Sequence, residues 1–291
     1  HVHFIDRTKL EYDVVEFKTN PHLARDWCQA DYEQDVSATG LHTKIKGLVF
    51  EEVAPTDECA LGEVAWVSQL PRASFSRILG MVVNAPLERG VTEVAAFLDK
   101  AQSCGVRISG VRRLLQGRAD DFCLSPMFQE GVEEVCRRGL TVDLCIYGGA
   151  RPAQFESIIK LVERCPQSCT FVLNHMGKPN IAGREWDVWS ANIQRMSKFR
   201  NVVCKLSGGM TEADHKSWKK EDVVPYVREC LTAFGPDRSL FGSDWFVCTL
   251  AGSAATWFDL VAEVLASQGL SQDDVDAVFF QNAERIYRLA G

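Results

Sequence analysis

The stretch Ser239-Leu240-Phe241-Gly242-Ser243-Asp244-Trp245 is a short apolar run that stops at a Gly-Ser pair and is followed at once by an acid. This pattern is typical of a buried strand whose last residues leave the sheet and face a cavity. Because a buried carboxylate without a partner costs several kcal/mol, Asp244 is a candidate for a functional role. The structural alternative is that Asp244 caps the helix that follows, since aspartate is a good N-cap residue.

The opposite end of the chain favours the functional role. His1-Val2-His3 places two imidazoles at positions i and i+2, and hence on the same face of a strand. Two histidines and a distant aspartate are the parts of a metal or proton-transfer site. We therefore expect the fold to bring His1 and His3 to Asp244.

Eight apolar segments recur along the chain, and a helix-like stretch follows each of them. They are residues 1–4, 45–53, 78–83, 106–115, 141–146, 170–175, 202–206 and a run that ends at 244. Continuous apolar runs indicate strands that are covered on both faces, which means parallel strands with helical crossovers. Without a glycine-rich dinucleotide motif, the pattern predicts one (β/α)8 barrel domain over residues 1–291. Because residue 1 already belongs to a motif, we expect the first strand to be truncated upstream of His1.

The composition limits the partners. A hydrophobic content of 46% and a charged content of 24% are typical of a globular protein with a large core. The net charge of -7 argues against nucleic acid or an anionic membrane surface as a partner, and it leaves the oligomeric state open. The 11 cysteines are scattered, and several lie within apolar runs. This predicts free, buried thiols and a reducing, cytoplasmic compartment.

The active site of such a barrel lies at the carboxyl ends of the strands. Polar residues occur at or near those ends, and their convergence predicts a site. They are His1, His3, Glu52, Arg112, Arg113, Asp143, His175, Lys205 and Asp244. Glu51 and Glu52 are adjacent, so only one of the two side chains is expected to point inward, and we favour Glu52. The same choice arises for the adjacent Arg112 and Arg113. Asp143 is equally well explained as a structural acid bonded to backbone.

Several of these segments resemble the amidohydrolase superfamily. They are His1-x-His3 and residues 172–179, 201–208 and 237–245. Within the superfamily they are most similar to the amidohydrolase-2 branch of sugar-lactone hydrolases, such as L-fucono- and L-rhamnonolactonases. The resemblance implies a TIM-type barrel with His1, His3, His175 and Asp244 in the site.

The sequence departs from the binuclear pattern of the superfamily. The fifth predicted strand offers Asp143 where many members have a histidine, and the fourth offers arginine where they have a bridging lysine. A two-metal centre is therefore not expected. Some members of the branch bind one zinc ion, and related pyrone-lactone hydrolases work without metal, so the resemblance implies either a single divalent ion or a metal-independent site.

Together these observations predict hydrolysis of a small-molecule sugar lactone, an aldonolactone of the deoxy-sugar type. Asp244 would act as general base on water, with His175 as the second catalytic residue. A single ion would be held by residues from the set His1, His3, Glu52, His175 and Asp244. Substrate would be bound by Arg112, Lys205, Asp143 and Trp245. The alternatives are a zinc-dependent decarboxylase of an aromatic or unsaturated acid, and an inactive barrel that serves as a binding protein.

Overall fold

The apolar runs pair as parallel strands because each is followed by a helix that returns the chain to the same end of the sheet. The structure is a computed structural model, and it describes residues 1–14, 17, 20–71 and 75–289. Within these residues seven strands pair in chain order, and every neighbouring pair is parallel. The strands are β1 (Leu48–Glu51), β2 (Ile78–Val83), β3 (Ile108–Arg112), β4 (Thr141–Leu144), β5 (Thr170–Leu173), β6 (Val202–Leu206) and β7 (Ser239–Phe241).

Helices alternate with the strands. They are α1 (Gln29–Ala38), α2 (Ala60–Ser68), α3 (Gly90–Ser103), α4 (Pro126–Arg137), α5 (Pro152–Arg164), α6 (Asp187–Ser197), α7 (Lys220–Phe234), α8 (Ala254–Ser267), α9 (Gln272–Asp276) and α10 (Asn282–Ile286). The start of α4 shows the local cause: the Ser125 hydroxyl accepts a hydrogen bond from the Phe128 amide, and Pro126 occupies the first helical position. The buried faces of these helices pack on the sheet in one large apolar core.

The first predicted strand, residues 1–4, is not a regular strand. Instead, Val2 forms one parallel bridge to Phe50 in β1 and another to Trp245 beyond β7. The Val2 amide donates to the Val49 carbonyl at 3.1 Å, and the His3 amide donates to the Trp245 carbonyl at 2.7 Å. The pairing stops there because Ile5 already bonds elsewhere, to Trp27. Residues 1–3 thus join the two edges of the seven-stranded sheet.

An apolar layer fills the interior of the curled sheet. Five aliphatic side chains from β1, β2, β5, β6 and β7 form one buried cluster with Tyr287 there; they are Val49, Val82, Val172, Val203 and Leu240. The Asn282 amide donates to the carbonyls of Pro236 and Ser239 at the start of β7, so the C-terminal residues cover the amino-terminal end of the strands. Interior side chains alternate along a strand, so the layer that follows this one contains polar groups such as Lys205, two residues beyond Val203.

The cysteines differ from the sequence-based expectation at one pair. Cys136, in the last turn of α4, and Cys169, just before β5, form a disulfide with their Cα atoms 4.9 Å apart. The prediction of free, buried thiols does not hold for these two residues, because the fold brings the end of α4 to the start of β5. Most of the other thiols are free and buried.

No helix among the described residues is both long enough and apolar enough to cross a membrane.

Candidate active site

The backbone is unusual where the two predicted catalytic residues leave the sheet. His175 follows shortly after β5 and Asp244 after β7, and both have a left-handed backbone with φ values of 53° and 56°. A residue other than glycine in this region costs on the order of 1–3 kcal/mol, and it persists only where its surroundings hold it. Such positions concentrate at functional sites, because the turn aims a side chain that a regular strand could not.

His1, His3 and Asp244 converge as the sequence predicted. One candidate ligand atom from each residue lies within 4.8 Å of the others. The two Nε2 atoms of the histidines are 2.9 Å apart. The Oδ1 atom of Asp244 is 3.4 Å from Nε2 of His1 and 3.3 Å from Nε2 of His3.

The other ring nitrogens determine what these three atoms can do. Nδ1 of His1 lies 2.8 Å from the Glu51 carboxylate, and Nδ1 of His3 lies 2.7 Å from the Glu51 carbonyl oxygen. The Glu51 carbonyl oxygen can only accept, so a neutral His3 keeps its proton on Nδ1. Nδ1 of His1 makes no hydrogen bond in the described structure, so its short distance to the Glu51 carboxylate is a close contact and not a hydrogen bond. Two imidazoles with one carboxylate are a donor set that suits zinc.

His175 approaches this group from the side. Its Nδ1 atom is 3.8 Å from Oδ2 of Asp244 and 2.9 Å from the Ser207 hydroxyl. Its ring centroid is 5.2 Å from that of His1. The His175 side chain is therefore placed beside the predicted ligands, where it contacts the carboxylate oxygen that faces away from His1 and His3.

Burial and neighbouring charge set the ionisation of the catalytic pair. Burial lowers the pKa of His175 to about 3, so this imidazole is neutral at neutral pH. Burial by itself would raise the pKa of Asp244, but the adjacent His175 and His3 rings outweigh it and lower the pKa to about 2. Asp244 is thus a carboxylate at neutral pH, next to a neutral imidazole.

Both adjacent glutamates are fully buried, which corrects the expectation that only one points inward. Glu52, the favoured ligand, is held by other groups: its Oε1 accepts from Nε of Arg112 at 2.5 Å and its Oε2 from the Ala54 amide at 2.6 Å. It lies outside the group formed by the two histidines and Asp244. The acid that contacts the histidines is Glu51, because β1 ends with this residue on the interior side.

Sequence reasoning missed Glu51, which is the most connected side chain of the site. Its Oε2 atom lies 2.8 Å from Nδ1 of His1 and accepts from Lys205 Nζ at 2.7 Å. Its Oε1 atom is 3.1 Å from the Arg112 guanidinium and accepts from the Asn174 side-chain amide. Burial opposes its ionisation, but the Lys205 and Arg112 charges overcome this and hold the pKa of Glu51 well below its usual range.

Lys205 and Asp143, predicted to bind substrate, form an ion pair with each other. Lys205 Nζ donates to Asp143 at 2.8 Å, and the lysine side chain is only 1% exposed. Asp143 also accepts from the hydroxyls of Tyr287 at 2.7 Å and Thr141 at 3.1 Å. Burial raises the pKa of Asp143 to about 6. Neither residue belongs to the cavity wall described below.

Trp245 is a packing residue in the structure. Its ring is buried and contacts the rings of Phe4, Trp27 and Tyr32. Its indole nitrogen donates to the Asp35 carboxylate at 2.9 Å. The ring is not part of the cavity wall, although its backbone pairs with the first residues of the chain.

Four of the predicted site residues line a cavity of about 420 Å³; they are His3, Arg112, His175 and Asp244. The rest of its wall includes polar side chains from loops after β3, β4, β5 and β6, which sequence reasoning did not identify. Among them are Gln116, Tyr147, Lys178, Thr211, Glu212 and His215. Loop residues carry no periodic pattern, so no signal in the sequence marked them. The volume is within the usual range for small-molecule sites.

A second cavity, of about 870 Å³, shares Asp13 and Gln116 with the first. Its wall includes Arg113, which is buried like its neighbour in sequence, so both arginines of the pair point inward. Arg113 is held by carboxylates: Nε donates to Glu88 at 2.9 Å and a terminal nitrogen donates to Asp57 at 2.8 Å. The positive charge of Arg113 is therefore already neutralised by carboxylates of the protein.

Comparisons with known proteins identify the family. The family model described as amidohydrolase matches residues 1–289. The L-fucono-1,5-lactonase of Burkholderia multivorans is 32% identical over 199 residues, which is 64% of this chain and 64% of that protein. The L-rhamnono-gamma-lactonase of Scheffersomyces stipitis is 25% identical over 236 residues, covering 73% of this chain and 69% of that one. The chain thus spans less than two thirds of the Burkholderia lactonase's length.

Among solved structures, an amidohydrolase from Burkholderia multivorans with bound zinc aligns with 100% of this chain and 98% of its own, at 27% identity and a TM-score of 0.83.

Proposed function

Because the chain belongs to the amidohydrolase family, we propose that it hydrolyses the lactone ring of a sugar acid, an aldonolactone of the deoxy-sugar type such as L-rhamnono- or L-fuconolactone. The observation that supports this most is the meeting of three candidate ligand atoms, from His1, His3 and Asp244, next to a cavity with polar loop residues. Hydroxyl, amide and carboxylate groups in such a wall are suited to a polyol substrate. The lactonase names of two relatives point the same way.

The proposal includes the architecture around the site. Residues 1–3 would occupy the position of an eighth strand, and residues 1–291 would form one (β/α)8 domain. The backbone bonds from Val2 and His3 to both sheet edges support this arrangement. In a barrel the site belongs at the carboxyl ends of the strands, which is where His175 and Asp244 lie.

Asp244 is the general base of the proposed reaction. At neutral pH it is ionised, and its Oδ2 atom faces His175 rather than the histidine pair. It takes a proton from water as the water oxygen attacks the ring carbonyl. The carbon–oxygen bond of the ring then breaks, and the proton held by Asp244 passes to the departing alkoxide. The products are an open-chain carboxylic acid and a hydroxyl group, so the atoms of one water are consumed.

The remaining histidines stabilise negative charge on the carbonyl oxygen. His175 is neutral and so can donate a hydrogen bond to this oxygen from one of its ring nitrogens. Nε2 of His1, Nε2 of His3 and Oδ1 of Asp244 would hold a single divalent ion, with His175 alongside. When bound, such an ion supplies Lewis-acid polarisation of the carbonyl.

Decarboxylation of an aromatic acid is less well supported by the charges. That chemistry needs cationic groups that grip the substrate carboxylate, and the arginine pair was the main candidate. Arg112 is bound by Glu51 and Glu52, and Arg113 by Glu88 and Asp57. The guanidinium groups are therefore matched by carboxylates of the protein itself.

The test is a pH-indicator assay on a panel of 1,4- and 1,5-lactones of sugar acids, with the protein as purified, after chelation, and after addition of zinc. Each turnover releases one acid, so a single readout covers the panel. We expect turnover of a deoxy-sugar lactone, with loss on chelation and recovery with zinc. Turnover that survives chelation would exclude the metal but keep the lactonase. Absence of turnover across the panel, with carbon dioxide released from an aromatic acid, would overturn the proposal.

A further inference from the structure

A continuous line of buried contacts joins the C-terminal segment to the first histidine. The Tyr287 hydroxyl donates to Oδ2 of Asp143 at 2.7 Å, and Lys205 Nζ donates to the same oxygen at 2.8 Å. Lys205 also donates to Oε2 of Glu51 at 2.7 Å. That oxygen in turn lies 2.8 Å from Nδ1 of His1. Three hydrogen bonds and one close contact, between Glu51 and His1, thus join five side chains from β1, β4, β6 and the two ends of the described chain.

The side chains of this line are held in place, because most of them are buried and charged. Glu51, Asp143, Lys205 and Tyr287 are each no more than 1% exposed. Two carboxylates are balanced by Lys205 and by Arg112, which contacts Glu51 at 3.1 Å. Removing one partner from such a network leaves an uncompensated buried charge, so each group is held where its partners require.

Tyr287 is chemically unlike the rest of its surroundings. Its ring packs among aliphatic side chains from five strands, where a phenylalanine would fill the same space. Burying a hydroxyl there costs free energy unless it is hydrogen-bonded, and its partner is Asp143. The Tyr287 hydroxyl therefore belongs to the polar layer that contains Asp143, and the Tyr287 ring belongs to the apolar layer.

We propose that Tyr287 is a positioning residue for the divalent-metal site: through Asp143 and Lys205 it fixes the Glu51 carboxylate, which orients His1. A carboxylate that holds the second nitrogen of a metal-binding imidazole sets both its tautomer and its direction. Without the Tyr287 hydroxyl, Asp143 has one donor fewer and draws Lys205 more strongly, which loosens the hold of Lys205 on Glu51. The inference rests on the metal site included in the proposed function and not on the identity of the lactone.

The experiment is zinc binding to the metal-free protein, measured in competition with a chromophoric chelator. Tyr287→Phe keeps the ring and removes the hydroxyl. Direct outer-shell changes lower metal affinity by about 10- to 100-fold, so for this more remote group we expect a loss of about 3- to 10-fold. The visible spectrum of the cobalt-substituted variant should also shift, because the orientation of His1 changes.

The matched control is Ile286→Val, which removes one methylene from the neighbouring residue in the same apolar cluster. It should lower the midpoint of urea unfolding slightly and leave zinc affinity unchanged. Equal affinity in wild type and Tyr287→Phe would overturn the proposal, and so would equal losses in both variants, since packing alone would then explain them. Wild-type protein that binds no zinc would overturn it together with the metal part of the proposed function, while turnover on the lactone panel would show that the lactonase itself stands.

Discussion

At the amino-terminal end of the strands, aliphatic side chains pack around Tyr287, and its single polar atom is hydrogen-bonded. At the carboxyl-terminal end, Nε2 of His1, Nε2 of His3 and Oδ1 of Asp244 lie 2.9 to 3.4 Å from one another. The first region gains stability from burial of apolar surface. The second places side chains that can bind a cation, a proton or a substrate atom next to a cavity. The curled sheet can contain both because the layer with Glu51 and Lys205 lies between them.

The largest expected effect is at the reactive end. Asp244→Asn removes the proposed base and should lower kcat on the lactone by on the order of 100- to 10,000-fold. The folded protein lowers the pKa of Asp244 and so favours its ionised form, which means that the metal-free variant should be less stable than wild type at neutral pH. Steady-state kinetics and urea unfolding test the two statements. Turnover close to that of wild type would contradict the assignment of Asp244 as the base.

The opposite pattern is expected at the amino-terminal end. Leu240 is 1% exposed and belongs to the cluster around Tyr287. Leu240→Ala should reduce the free energy of unfolding by about 2–5 kcal/mol, because it leaves a cavity in a closely packed layer. At a temperature where the variant stays folded, its kcat and zinc affinity should match those of wild type. A selective loss of zinc affinity would mean that the two ends are not separate.

A smaller effect tests whether unsatisfied acceptors cost stability away from the cavity. Glu63 on α2 is fully buried; its Oε1 accepts from the Val53 amide at 3.2 Å, and its Oε2 has no hydrogen-bond partner in the described structure. Burial, reinforced by the charge of Glu52, raises the pKa of Glu63 well above its ordinary value of 4.5. The folded protein thus binds this proton more tightly than the unfolded chain does.

This difference in proton binding sets the sign of the pH dependence of stability. The contribution of Glu63 to stability is fully present below pH 4.5 and is lost as pH rises toward the raised pKa, by up to about 1.4 kcal/mol per pH unit. Glu63→Gln mimics the protonated acid, so the variant should be more stable than wild type at pH 8 and similar to it at pH 4. Urea unfolding at both pH values measures the difference. A stability difference that is the same at both would show that Glu63 does not titrate between them.

The parts of this molecule that follow from periodicity were predictable. Seven of the apolar runs are parallel strands in chain order, because burial on both faces requires continuous apolar sequence. The rule that barrel sites lie at the carboxyl ends of strands placed His1, His3, His175 and Asp244 among the candidates, and the resemblance to the amidohydrolase superfamily selected these four.

What remained unpredictable depends on contacts between distant segments. Tyr287 and Asp143 are 144 residues apart, and no local pattern links them. The choice between Glu51 and Glu52 failed because Arg112 reaches both, which allows two adjacent carboxylates to be buried. The partners of Lys205 were unpredictable for the same reason. Its position in an apolar strand showed that it is buried, but spacing could not show that its partners are acids of the protein.

The bridges of Val2 to both sheet edges have a consequence for synthesis of the protein. His3 and Asp244 are separated by 241 residues, so they leave the ribosome at very different times. At typical elongation rates the interval is on the order of 10 to 50 s. During that time the histidine pair has no partner strand beyond β1, and the nascent sheet keeps an open edge. The site is therefore assembled only after nearly the whole described chain has been translated, and a pause or truncation before Asp244 would leave the sheet open and the reactive centre incomplete.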